Sequence, residues 1–295
     1  NTVLIHTTLH FFLSYTHERP KGSRLQIFLA FSSDQTVNFE SIDALMQASP
    51  LADYYKIAPI EDVPVCLRKS FTNILLVKKQ EQTRLSTGDT LFTVEGWKSN
   101  PKSRLYEMEK TAEALNEDMV YHISIYGSDT YKTAQQALQK PIAILREKAL
   151  GRSGQITLAD NKNRPRDVSA EETLRIYEEF LSDVAKSPCF FANILLYANQ
   201  KSSAHFLMDA VCGEAIKEGT CEIQEIPSTA TPLELQEVNQ PYCNLLPPSL
   251  AFWPTAYTLD ELSSFFRLPI LFDGENIEIK KETAPKLEQT GIYLG

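Results

Sequence analysis

The stretch FFANILLYANQKSSAHFLMDAVCGEAIKEGTCEIQEI, residues 190–226, is the clearest guide to the fold class. It predicts a strand over Phe190–Ala198, a helix over Ser203–Glu218 and a second strand over Cys221–Ile226. Apolar residues recur along the helix at the spacing of one face, and Gly219 supplies its terminator. Those apolar residues are Ala204, Leu207, Met208, Val211 and Ala215. The order strand–helix–strand is typical of α+β folds.

The same order recurs near residues 25–59 and 120–159, although no residue-level repeat connects the three units. We therefore predict an α+β fold with mixed or antiparallel sheets, helices on one face, and repeated strand–helix–strand units of the ferredoxin-like kind. The alternative is that this order is simply common in proteins and implies no repeated module. Both interpretations give the same fold class.

Alternating apolar residues at the N-terminal end predict an antiparallel hairpin. The first strand, Ile5–Tyr15, places Phe11 and Leu13 on one face, which is the pattern of a half-buried strand. Residues His17–Ser23 have turn-forming composition, and the alternation resumes over Leu25–Phe31. This pair of strands is the most local strand pairing that the sequence predicts.

The remaining elements follow from the same two periodicities and from capping signals. Strands are predicted over Tyr54–Pro59, Thr72–Lys78, Thr90–Trp97, Val120–Tyr126 and Gln155–Ala159, with a short strand at Ile277 and Ile279 and a polar connection at Lys79–Asp89. Helices are predicted after Asn38, over Leu105–Leu115 and Tyr131–Ala149, from a capping box of Ser169 and Glu172, and from a second box of Thr258 and Glu261. Pro141 is expected to kink its helix or to begin a second one.

Composition is that of a folded protein with an acidic balance. The 295 residues include 29 Lys and Arg against 38 Asp and Glu, which gives a formal net charge of -9. Apolar residues make up 43% and charged residues 23%, so a largely disordered or collagen-like chain is excluded. No run of Lys or Arg exceeds two residues. Because phosphate neutralisation supplies much of nucleic-acid affinity, we do not expect this segment to bind nucleic acid directly.

The polar residues 160–168 form the best internal boundary. We predict an N-terminal α+β domain over 1–160, a second α+β unit over 169–227, and a Pro-rich connector over 228–295. The connector holds five prolines between residues 228 and 254 and few periodic apolar residues.

The sequence contains none of the motifs that carry common enzyme chemistry. The phosphate loop GxxxxGK[ST], the fingerprint GxGxxG and the nucleophile elbow GxSxG are absent. His6 and His10 lie four residues apart, but on a strand a solvated or sheet-covered face is favoured over a metal site. His122 and His205 are isolated in the sequence. We therefore predict no catalytic, cofactor-binding or metal-binding residue, and an enzyme with a site built from scattered polar residues is the least favoured alternative.

Five cysteines, at positions 66, 189, 212, 221 and 243, are interpreted as free and mostly buried thiols in a reducing compartment. Cys212 and Cys221 form the closest pair, with eight residues between them. No apolar stretch approaches the roughly 20 residues of a membrane-spanning helix. We expect a cytoplasmic location, with membrane association only through partners.

Aromatic residues in the Pro-rich connector are the candidates for partner contacts. Phe252 and Trp253 are expected to be exposed there and to stack on another protein. Burial in the core is the alternative, and it is the more frequent role of such residues.

Two segments near the C-terminal end carry a family resemblance. They are Thr258-Leu-Asp-Glu-Leu-Ser-Ser-Phe-Phe-Arg-Leu-Pro269 and, after a spacer, Gly291-Ile-Tyr-Leu-Gly295. This arrangement is similar to the segment that precedes the motor in HerA/FtsK-superfamily ATPases, including conjugation-type (type IV secretion) ATPases. In that family the phosphate-binding loop would follow Gly295, and Asn1 and Gly295 both look like cut points in a longer chain.

The resemblance implies a non-catalytic N-terminal region that serves assembly or docking in a DNA-translocating or conjugation-type ATPase. It implies homo-oligomers, hexameric rings in the full protein, and other protein partners. ATP and Mg are expected only in a downstream motor domain, so the parent protein would be an ATPase while this segment is not. The alternative is a free-standing α+β protein-interaction module of a secretion or defence assembly.

Overall fold

The structure, a computed structural model, describes residues 7–18, 22–33, 39–49, 52, 57–58, 60, 62–86, 89–103, 105–127, 130–150, 167–227, 229–234, 245–266 and 292–294. Strands in these residues are β1 (Thr7–Glu18), β2 (Gly22–Ser33), β3 (Ile57–Ala58), β4 (Asn73–Lys79), β5 (Glu81–Ser86), β6 (Asp89–Val94), β7 (Lys98–Ser99), β8 (Met119–Gly127), β9 (Cys189–Ala198), β10 (Ile216–Glu218), β11 (Cys221–Ile226), β12 (Ala256–Thr258) and β13 (Ile292–Leu294). Helices in these residues are α1 (Phe39–Gln47), α2 (Val65–Arg68), α3 (Tyr106–Leu115), α4 (Thr130–Ala149), α5 (Val168–Lys186), α6 (Lys201–Ala215) and α7 (Leu259–Ser263).

One large sheet organises the molecule. Its strand order is β11-β4-β9-β8-β1-β2-β13-β3, and β12 pairs with the first residues of β9. All the strand pairs in this sheet are antiparallel. Two small sheets, β5 with β6 and β7 with β10, complete the strand pairing among the described residues. The predicted α+β class with antiparallel sheets is confirmed, and the ferredoxin-like repeat stays a prediction.

The predicted N-terminal hairpin is confirmed by β1 and β2, which pair along their whole length. Because side chains alternate along a strand, Phe11 and Leu13 lie in one hydrophobic cluster while Phe12 lies in another. The hairpin therefore contributes to both faces of the sheet.

One face of the sheet packs against α3, α6 and α7, and we call it the helical face. Its buried strand residues include Phe11, Leu13, Leu75, Val77, Tyr121, Ile123, Ile194 and Leu196. Its buried helix residues include Met108, Ala112, Leu207, Met208, Val211, Leu262 and Phe265. The stripe predicted on the 203–218 helix is the side of α6 that meets this face.

The opposite face, which we call the mixed face, combines apolar and polar side chains. Its apolar residues include Phe12, Phe28, Ile74, Leu76, Val120, Leu195 and Tyr197, covered by Leu67 of α2 and by Phe71. A third cluster is formed by α4, α5, β6 and residues 250–256. It packs beside the first residues of β9 through Cys189 and Phe191.

The polar stretch Lys79–Asp89 was predicted to be only a connection between strands. The structure differs, because this stretch contains a strand. Residues Glu81–Ser86 form β5 and pair with β6 as a hairpin. Arg84 of this strand forms an ion pair with Glu172 of α5 at 2.9 Å. A strand that meets its neighbours through charged side chains lacks the apolar alternation by which strands are predicted.

The helix predicted at Tyr131–Ala149 is one element, α4, that continues through Pro141. Leu138, Ile142 and Leu145 are buried against the third cluster on both sides of the proline. Tertiary packing of this apolar face therefore maintains the helix where local propensity predicts a break.

The boundary predicted at 160–168 does not separate two cores. Strand β9, from the predicted 169–227 unit, lies between β4 and β8 of the predicted 1–160 domain. The two units therefore share one sheet. Helix α5 begins at Val168 with Asp167 as its cap, whose carboxylate accepts from the N–H of Ala170, so the Ser169 capping box is wrong. The expected strands at Gln155–Ala159 and at Ile277 and Ile279 lie outside the described residues.

Candidate functional site

Two histidines that are isolated in the sequence meet on the mixed face. Nδ1 of His10 on β1 lies 3.2 Å from Nε2 of His122 on β8, so one ring donates a hydrogen bond to the other. Neither residue is more than 1% exposed. Burial lowers the pKa of His10 to about 4. Burial, and next the neighbouring His10, lower the pKa of His122 well below its usual value, so both rings are neutral at pH 7.

His10 belongs to a polar row that extends from β11 to β1 on this face of the sheet. The strand registers place Glu222 opposite Lys78, Asn193 opposite Ser124, and Ser124 opposite His10. Asn193 Nδ2 donates to Ser124 Oγ at 3.3 Å. We call Glu222, Lys78, Asn193, Ser124 and His10 the polar row, and its last four members are buried. His6, the other half of the predicted histidine spacing, lies outside the described residues.

Several polar atoms beside this row are buried without a hydrogen-bond partner in the described part of the chain. They are Ser14 Oγ, His122 Nδ1, Tyr197 Oη and Gln224 Oε1. Such atoms are destabilising in an apolar environment because their hydration is lost and not replaced. The mixed face therefore carries a desolvation cost that apolar packing elsewhere must offset.

Two buried ion pairs lie at the C-terminal end of strand β4, one on each face of the sheet. Lys78 donates to Glu81 Oε1 at 2.6 Å, while Glu81 Oε2 accepts from the N–H of Leu245 at 2.7 Å. On the helical face Lys79 donates to Glu261 Oε2 at 2.8 Å. Every charged group named here has a partner, so these carboxylates are bound within the fold and are not presented to a substrate.

The described residues contain no group of three or more His, Cys, Asp or Glu that could hold a metal ion. The His10 and His122 pair has a third neighbour in Phe12, whose ring stacks on His122 at 4.2 Å between centroids. The neighbouring ring is apolar and supplies no metal ligand, whereas a zinc site takes three or four protein ligands of the His, Cys or carboxylate type.

The two predicted partner-contact residues, Phe252 and Trp253, differ in how deeply they are buried. Trp253 is 2% exposed and packs against Phe180 at 4.7 Å between ring centroids, so its expected exposure is wrong. It is buried because the short 3-10 turns at 248–255 fold the connector onto α5. Phe252 is half-buried against Phe180 and Phe191, and its contact with a partner stays a prediction.

An exposed aromatic residue lies elsewhere, on α6. Phe206 is 62% exposed, although the rest of its helix is well covered on the core side. Beside it, Glu225 of β11 binds Lys201 at 2.6 Å and His205 at 3.1 Å. Strand β11 is the last strand of the large sheet among the described residues. The surface formed by Phe206, Lys201, His205 and Glu225, which we call the α6 surface, joins an aromatic anchor to paired charges.

The position of Phe206 outside the apolar stripe of α6 could have been recognised from the sequence. The apolar stripe of α6 runs through residues such as Leu207 and Val211, and Phe206 lies outside it. An aromatic residue on the polar side of an amphipathic helix is a candidate for binding.

Both segments that carry the family resemblance are integrated into the fold where they are described. The predicted box of Thr258 and Glu261 is confirmed, with each side chain bonded to the backbone of the other residue. Residues 292–294 form β13, which lies between β2 and β3. The intervening spacer lies outside the described residues.

No described helix is long and apolar enough to cross a membrane. No protein-family model matches the chain, and neither curated proteins nor solved structures include a match to it.

Proposed function

We propose that this chain is the non-catalytic assembly or docking region that precedes the motor of a HerA/FtsK-like, DNA-translocating or conjugation-type ATPase in the cytoplasm. The observation that carries the proposal is that the resemblance segments are anchored in the sheet domain. Leu262 and Phe265 of the first segment are buried on the helical face, and residues 292–294 of the second pair with β2 and β3. A motor that follows such a strand would be coupled to the sheet without a free tether.

The α6 surface is the place where we propose that a second copy of the chain docks. Large aromatic residues commonly act as anchors at protein interfaces. Among the exposed large apolar residues of the described chain, Phe206 is the only phenylalanine. The overall charge of -9 supports contacts with protein in preference to DNA. A hexameric ring is the assembly that the family resemblance implies.

The first test is to read the natural coding sequence past Gly295 and to measure nucleotide binding by the longer protein. A phosphate loop within a few dozen codons and ATP hydrolysis by the longer protein are expected, with none by residues 1–295. A stop codon, or a longer protein that binds no nucleotide, would refute the motor and leave the alternative of a free-standing interaction module.

The second test concerns coupling through β13. In the longer protein, Tyr293→Pro removes a backbone N–H from a strand that pairs on both sides. The variant should therefore hydrolyse ATP at a rate different from that of the unmodified longer protein. Tyr293→Val is the matched control because it keeps the N–H and favours a strand. Equal turnover in both variants and in the unmodified protein would contradict the proposed coupling.

Docking is tested by light scattering of the chain over a range of concentrations. Phe206→Glu should lower the oligomeric fraction, since it places a charge at the proposed interface. Tyr131→Glu on α4 is the control, because Tyr131 is also exposed and lies on another helix. Loss of the oligomer in both variants, or a monomer throughout, would argue against the α6 surface.

A further inference from the structure

Residues 245–266, which we call the strap, pass from one face of the sheet to the other. Residues before β12 pack in the third cluster through Leu250, and residues after it pack on the helical face through Phe265. Between them, β12 pairs with residues 189–191 of β9, while β4 pairs with residues 194–198 of the same strand. Because β8 pairs with the other side of β9, β12 lies in line with β4, beyond its C-terminal end.

On the mixed face, the start of the strap is bound by a carboxylate whose charge Lys78 compensates. Glu81 Oε2 accepts the N–H of Leu245 at 2.7 Å and that of Leu246 at 3.2 Å. The other oxygen of Glu81 lies 2.6 Å from Lys78 Nζ, and both side chains are fully buried. Lys78 therefore holds the first half of the strap indirectly, by orienting the carboxylate that binds it.

On the helical face, Lys79 binds the second half of the strap directly. Its Nζ donates to Glu261 Oε2 at 2.8 Å, and the same oxygen accepts the N–H of Thr258 at 2.8 Å. The Lys79 ammonium also lies 5.3 Å from the centre of the Tyr257 ring, within the range of a cation–π contact. Both members of the ion pair are buried. Lys79 therefore fixes the capping box of α7 and the aromatic residue that precedes it.

The opposite directions of the two lysines follow from strand geometry. Successive side chains of a strand point to opposite faces, so the last two residues of β4 supply one ammonium to each face. Each ammonium lies against a buried carboxylate that contacts the strap. Removing one partner of a buried ion pair leaves the other charge uncompensated, which strongly destabilises its surroundings. Each half of the strap thus depends on a different lysine.

We infer that Lys78 and Lys79 are positioning residues that clamp the strap from two sides, and that its two halves are released separately. Loss of Lys79 frees residues 257–266 while the first half stays bound to Glu81. Loss of Lys78 frees residues 245–253 while α7 stays bound to Lys79. The clamp goes beyond the proposed function, because every contact that carries it lies within the described chain and none requires a motor.

Amide hydrogen exchange of the full 295-residue chain, followed by mass spectrometry, tests the clamp. In Lys79→Met, the exchange rate of residues 257–266 should rise at least about tenfold over that of the unmodified protein. The exchange rates of residues 245–253 and of β8, a strand that pairs on both sides, should rise less. Lys78→Met should give the reverse within the strap, with the larger rise at residues 245–253.

Two further variants make the result decisive. Lys98→Met is the matched control, because Lys98 forms an exposed ion pair with Glu218, and it should leave exchange in both halves of the strap unchanged. Glu261→Gln keeps a residue that a capping box accepts but removes the charged partner of Lys79. It should reproduce the effect of Lys79→Met, and it decides the question if that variant does not fold. Equal release of both halves by one lysine variant, an equal rise in β8, or no rise above the control would overturn the proposal.

Discussion

The two faces of the large sheet are built from the same strands but from different chemistry. On the helical face, apolar strand residues such as Ile194 and Leu196 meet apolar residues of α6. On the mixed face, the polar row crosses apolar packing, and a histidine pair is buried without charge. Apolar packing tolerates exchange among residues of similar volume, whereas hydrogen-bonded polar groups require particular partners.

This difference bears on strand register. A slip of one residue would send the side chains of a strand to opposite faces and would place His10 or Lys78 against the apolar helices. We infer that the polar row makes such slips costly, at the expense of some stability.

The largest effect is expected from breaking the ion pair at the end of the polar row. Glu81→Ala would remove the carboxylate that lies 2.6 Å from the buried ammonium of Lys78, while Glu222 lies farther away at 3.5 Å. It would also orphan the N–H of Leu245. We expect a loss of about 4 kcal/mol in the free energy of unfolding, measured by urea denaturation.

The matched control for Glu81 is a carboxylate in an exposed pair. Glu178 of α5 accepts from Arg146 at 2.7 Å, and both side chains face solvent. Glu178→Ala should cost about 0.5 kcal/mol or less. Similar losses in the two variants would show that the buried pair has no special role in the mixed face.

A smaller effect is expected when the histidine pair is protonated. The pKa of His10 is lowered to about 4 in the folded protein, against about 6.5 in an unfolded chain, so the unfolded state binds more protons below pH 6.5. The contribution of His10 to stability is therefore complete above pH 6.5 and is lost as the pH falls toward 4. Between pH 7 and pH 5 the loss from His10 is about 2 kcal/mol, and His122 adds to it in the same direction.

Urea midpoints at the two pH values measure this effect, and a neutral replacement isolates it. His10→Gln should show a smaller loss between pH 7 and pH 5 than the unmodified protein. His205→Gln, which alters an exposed histidine bound to Glu225, should leave the loss nearly unchanged. An unaltered pH dependence in the His10 variant would be the contradictory result.

Sequence periodicity predicted the elements of the helical face much better than the site on the mixed face. Strands such as β1 and β9 and the stripe of α6 follow from apolar spacing, since each buries one continuous apolar surface. The meeting of His10 and His122 depends on a register between residues 112 positions apart, which composition does not encode. The expected exposure of Trp253 was wrong for a related reason. The conformation of a Pro-rich connector depends on the elements that it packs against, and its own sequence does not identify them.

The smallest predicted effect is the change in unfolding free energy when a buried tyrosine hydroxyl is removed, and it should differ between the two faces. Tyr121 lies on the helical face and donates its hydroxyl to the carbonyl of Phe265 at 3.1 Å, so Tyr121→Phe should lower the unfolding free energy by about 1 kcal/mol. Tyr197 lies on the mixed face, and its buried hydroxyl has no hydrogen-bond partner in the described residues. Tyr197→Phe should therefore be neutral or raise the unfolding free energy by up to about 1 kcal/mol. Urea denaturation of the two variants side by side gives the comparison, since the same atom is removed from two buried rings. A loss of equal size in both would mean that the Tyr197 hydroxyl is solvated or bonded, and the two faces would then differ less than their side chains indicate.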